Sequence, residues 1–124
     1  NDWQRDHLRN PRAMVPTSIM PGYPFLTKTP LNAEHIAEQM RTLRIVGVPY
    51  TDEMIERAVQ DARAQANPDD PAADQVAARY AKSQVRDFDG NPEALTEMDA
   101  LIAYLQMLGT LVDFSSFKAS DNQR

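Results

Sequence analysis

Apolar residues recur at helical spacing along most of the chain, and strand-like alternation persists nowhere. A short helix is expected from Asp2 to Arg9, with Asp2 as its N-cap and Asn10-Pro11 as its stop. A second should run from Ala33 to Val46, capped by Asn32, closed at Gly47, and buried along Ile36, Met40 and Leu43. Thr51 is placed to cap a third, with Asp52 and Glu53 in its first turn and Ile55, Val59, Ala62 and Ala66 as its apolar stripe. Asn67-Pro68-Asp69-Asp70-Pro71 breaks that helix, and an Ala-rich fourth follows to about Lys82. The last begins near Thr96, where Asp99 can complete a capping box, and buries Leu101, Ile102, Leu105 and Leu108 with Tyr104 beside them. The fold class is all-α. No internal repeat is evident.

Between the first two helices the pattern changes. Five of the nine prolines fall from Pro11 to Pro30, so no regular element is expected to persist there. The same segment nevertheless holds Met14, Val15, Ile19, Met20, Tyr23, Phe25 and Leu26. An apolar, proline-stiffened loop lies against something.

With 124 residues and 14.0 kDa, the chain suits one domain, residues 1–124. Eighteen acidic against thirteen basic groups give a net charge of −5. That balance argues against nucleic-acid binding, which needs a basic face, and suits a basic protein partner. The absence of cysteine excludes disulfides, Cys-ligated metals, thiol catalysis and covalent haem attachment within this chain. No apolar stretch approaches the roughly 20 residues that cross a bilayer; Leu101 to Val112 is the longest and is interrupted by Gln106 and Gly109. Nothing at the N-terminus resembles a signal peptide, and the chain begins abruptly inside a helix, as a fragment would. The tail from Lys118 to Arg124 is expected to fray.

Most candidate chemistry fails on spacing. Asp87-x-Asp89-x-Asn91 opens like a calcium loop, but Pro92 and Met98 occupy its glycine and bidentate glutamate positions, leaving a solvated turn before the last helix. Asp69, Asp70 and Asp74 read as capping and solubility. His7 and His35 lie on separate helices with no carboxylate at ligand spacing, and both read as partly exposed. Ser115-Ser116 lacks nucleophile geometry, and four scattered glycines build no phosphate cradle. No catalytic residue is assigned.

One segment differs. After Leu8-Arg9-Asn10-Pro11-Arg12 comes Val15-Pro16-Thr17-Ser18-Ile19-Met20-Pro21-Gly22-Tyr23, which places a methionine on a stiff loop behind a short helix. A thioether is a soft neutral ligand for haem iron, although core packing is the commoner role of a methionine. This segment resembles the axial-methionine loop of class I cytochromes c, and Leu101 to Leu108 resembles their C-terminal helix. From Trp3 to about Phe117 the chain is similar to one family more closely. The blocks Met20-Pro21-Gly22-Tyr23-Pro24-Phe25-Leu26, Gly47-Val48-Pro49-Tyr50-Thr51 and Thr96-Glu97-Met98-Asp99-Ala100-Leu101 resemble the monohaem cytochrome c subunit of cbb-type haem–copper cytochrome c oxidases.

That resemblance implies a class I cytochrome c-like domain carrying a helical insertion over 51–92. It implies an electron-transfer subunit that is not itself catalytic, passing electrons through a c-type haem towards the haem–copper subunit. Met20 corresponds to the axial iron ligand, and Tyr23, Phe25 and Leu26 would line the cofactor pocket. The implied partners are the haem–copper catalytic subunit, a dihaem cytochrome c subunit and a cytochrome c donor, on the periplasmic side of the bacterial inner membrane. The attachment cysteines, the opposite histidine and the membrane anchor would lie outside this sequence. The isolated chain is then expected to bind no haem and to self-associate through its uncovered apolar face. The alternative is a haem-free helical interaction domain in which Met20 is core.

Overall fold

The computed structural model describes residues 2–110. Among them are seven α-helices: α1 (Asp2–Arg9), α2 (Pro11–Met14), α3 (Glu34–Ile45), α4 (Asp52–Glu56), α5 (Ala58–Ala66), α6 (Ala73–Arg79) and α7 (Glu97–Leu108). A 3-10 turn occupies Pro24–Thr27, and the only extended pairing among the described residues is an isolated antiparallel bridge between Pro30 and Thr96. The all-α class holds.

Several boundaries depart from the sequence expectation, each for a local reason. Asn10-Pro11 does not end helical structure. The Asn10 side chain accepts the Ala13 N–H at 3.3 Å, and Pro11 at the first helical position suits the fixed φ of proline, so α2 starts at once. Together with the 3-10 turn, this puts two short regular elements in the proline-rich segment. α3 starts from Ala33 with no side-chain cap, so Asn32 does not cap it. The long third helix is divided at Arg57, which leaves both Ile55 and Ala58 buried in the same cluster as Met40. α6 ends at Arg79 rather than Lys82. Leu43, Leu105 and Leu108 are exposed rather than buried.

Other expectations are met. Thr51 accepts the Met54 N–H and caps α4. The Thr96 hydroxyl accepts the Asp99 N–H at 3.3 Å, while the Asp99 carboxylate accepts the Thr96 N–H at 2.9 Å, the reciprocal arrangement of a capping box. Gly47 closes α3 at φ +102°, with its N–H on the Arg44 carbonyl and the Val48 N–H on that of Leu43. This is the bonding of a Schellman motif, and its left-handed residue favours glycine.

Two apolar clusters organise the packing. Leu8, Ala66, Phe88, Met98 and Ile102 form the first, where α1 and α7 meet. Met40, Ile55 and Ala58 form the second, beneath Ile36, Tyr50 and Tyr80. α5 links the two, since Ala58 lies in one and Ala66 in the other. The segment after α4 is pinned by an ion pair whose carboxylate, Asp61, is buried and whose Arg79 is partly buried. Arg79 grips both carboxylate oxygens of Asp61, and the Tyr80 hydroxyl donates to the same carboxylate at 3.2 Å. Burial, and then the charge of Asp61, push the Tyr80 phenol up to about 12.

Candidate functional site

The Met20 loop is built on the end of α1. The Tyr23 N–H donates to the Leu8 carbonyl at 2.7 Å, which returns the loop to the first helix. Gly22 makes that approach possible: a Cβ there would lie 2.8 Å from the Arg9 carbonyl oxygen, closer than any real side chain stands. On the other side of Met20, the Met20 N–H donates to the Ser18 hydroxyl at 3.2 Å, and the Arg12 guanidinium donates to the Ser18 carbonyl at 3.2 Å. The backbone around Met20 is therefore bonded on both flanks.

This fold brings three of the four sequence-predicted site residues together. Met20, Tyr23 and Leu26 are partly buried and pack on the first cluster, alongside Leu95 and Leu101. Phe25 stands at the rim, 55% exposed, and meets Tyr23 edge-on at 6.2 Å between ring centroids. A cavity of about 210 Å3 lies behind Phe88 and Leu95, but none of the four residues lines it. The two histidines stay apart from Met20. His7 stacks on the exposed Trp3 at 4.8 Å, and His35 lies on α3. Contrary to the sequence expectation, His35 has a carboxylate one turn away, with Glu38 at 4.0 Å, and both side chains are exposed.

The turn before α7 is not solvated as expected. Asp89 and Asp99 are buried, and with Asp87 they bring one carboxylate oxygen each to within 4.8 Å of one another. The Thr96 hydroxyl lies 2.9 Å from Asp89 and 3.0 Å from Asp99, and Arg5 reaches across from α1 to the Asp89 carbonyl at 3.4 Å. The spacing Asp87-x-Asp89-x-Asn91 places Asp89 in a solvated turn and gives no role for a buried carboxylate. The signal for its burial was weak, namely an acid seven residues before a threonine N-cap.

The donor set around Met20 suits one face of a haem. It consists of a thioether among aromatic and aliphatic side chains, with no competing histidine or carboxylate on the loop. The arrangement, a methionine loop backed by apolar side chains beside α7, is compatible with a cytochrome c-type domain. The sequence model of the family described as "Cytochrome C oxidase, mono-heme subunit/FixO" matches residues 1–112. The chain belongs to that family of monohaem cytochrome c oxidase subunits. No curated protein matches the chain. Family members bind haem c in the intact subunit; this sequence has no cysteine to attach one. Membership decides between the two sequence readings in favour of the oxidase subunit and electron transport.

Proposed function

We propose that Met20 is the axial methionine of the c-type haem in the intact subunit, and that Tyr23, Phe25 and Leu26 form the wall on its side. The observation that carries this reading is the convergence of Met20, Tyr23 and Leu26 on the cluster that also seats α7, with the backbone tied on both flanks. When bound, the haem supplies a one-electron couple. This chain contributes the thioether, excludes water with apolar side chains and fixes the ligand backbone. The subunit passes electrons from a cytochrome c donor or a dihaem partner to the haem–copper subunit of a cbb-type oxidase, at the periplasmic face of the inner membrane. Family membership supports this assignment, and the net charge of −5 suits a basic donor.

The test is a redox titration of the haem-loaded subunit carrying its attachment cysteines. Met20→Ala should lower the potential and remove the methionine–iron charge-transfer band, because a thioether favours ferrous haem over oxygen or nitrogen ligands. Met14→Ala, at a rim position of the same segment, should leave both unchanged. The opposite pattern would move the ligand to Met14.

A further inference from the structure

Packing does not hold the approach to Met20. Val15 is 51% exposed and Ile19, the residue next to the ligand, is 96% exposed. What ties this flank to the body is polar. Asn10 caps α2, α2 presents Arg12, and the Arg12 guanidinium donates to the Ser18 carbonyl. Ser18 in turn closes a turn by donating its N–H to the Val15 carbonyl at 2.9 Å, and its hydroxyl accepts the Met20 N–H. Pro16 and Pro21 narrow the backbone freedom on either side. The far flank is fixed independently, by Gly22 and Tyr23 against the end of α1.

The geometry points to Arg12 and Ser18 as positioning residues for the Met20 thioether, a two-bond latch that holds the ligand side chain at a set height above the iron. This inference rests on the reading of Met20 as the axial ligand. A methionine side chain is long and loses rotamer freedom when it coordinates. If its backbone also moves, that entropy must be lost at the moment of binding, and an external ligand competes better. A fixed backbone has lost it in advance, which is the general advantage of preorganisation. Neither residue touches the iron; each acts through the Met20 main chain.

The experiment titrates the ferric, haem-loaded subunit with imidazole, which displaces a weakly held thioether. One hydrogen bond of ordinary net strength corresponds to about fivefold in an equilibrium constant. Ser18→Ala and Arg12→Ala should each raise the apparent imidazole affinity by about that factor. Ser18→Thr and Arg12→Lys, which keep a hydroxyl acceptor and a donor, should recover most of the change. Melting temperatures should fall by no more than a few degrees, the effect of losing one bond of that strength in a domain of this size. If Met20→Ala removes the charge-transfer band while both alanine variants bind imidazole like the parent, the latch is overturned and the ligand assignment stands. If Met20→Ala keeps the band, the ligand assignment fails and the latch falls with it. A melting temperature lowered by about ten degrees or more together with lost methionine ligation in both alanine variants would also overturn it, because general unfolding moves both far more than one bond can.

Discussion

At Thr96 one hydroxyl proton faces two carboxylates, Asp89 at 2.9 Å and Asp99 at 3.0 Å, so it can serve only one at a time. Burial pushes the Asp99 carboxyl above its ordinary 3.8, and the nearby Asp89 charge adds to the rise, against the bonds from Thr96 that lower it. A raised carboxyl keeps its proton in the folded chain after the unfolded chain has released it. The stability it contributes is full below 3.8 and is lost as pH rises through the folded value. Asp99→Asn should therefore flatten the decline in stability as pH rises above the ordinary carboxyl value of 3.8, checked by urea midpoints at a series of pH values. An unchanged slope in the variant would show that Asp99 does not carry the decline.

The helices show how far a periodic pattern reaches. In α7 the buried pair is Met98 and Ile102, spaced i, i+4, whereas Leu105 one turn further is 38% exposed. Ile102→Ala should cost about 2–5 kcal/mol, because it opens a void in the first cluster. Leu105→Ala should cost about 0.5 kcal/mol or less by urea denaturation, provided nothing in solution covers that face. Equal costs would mean that the exposed face of α7 is covered. The same limit explains the division at Arg57. The stripe Ile55, Val59, Ala62 and Ala66 fits one straight helix. The buried residues are instead Ile55, Ala58, Asp61, Ala64 and Ala66, because the helix is interrupted at Arg57 and both Ile55 and Ala58 join Met40.

Across the whole molecule, apolar side chains stand exposed on α1, the Met20 loop and α7. Trp3, Ile19, Phe25 and Tyr104 are each more than half exposed. Exposed apolar surface of this kind drives association when it is contiguous and reaches several hundred Å2. The isolated 124-residue chain is expected to self-associate through it. Sedimentation at increasing concentration should show a rising average mass, and Ile19→Asp with Tyr104→Asp should reverse it. A concentration-independent monomer would rule this out.

Some helix start and stop chemistry is local and legible in the sequence, whereas the start of α3, the end of α6 and the helical turn at Pro11 are not. Thr51 and Thr96 cap, Gly47 stops α3, and no element alternates at strand spacing. The blocks around Met20, Tyr50 and Thr96 together resemble the family that the chain belongs to. What the sequence left open depends on residues far apart in the chain. The burial of Asp89 against Thr96 and beneath Arg5 involves partners up to 84 positions apart. Ser115-Ser116 and the tail from Lys118 lie outside the described residues. The Met20 loop shows the division of labour at its sharpest. Its prolines announce a stiff backbone in the sequence. Its position is decided by tertiary contacts, namely a glycine pressed on the Arg9 carbonyl and an arginine reaching Ser18, because hydrogen-bond geometry across a loop is set only when the chain has closed.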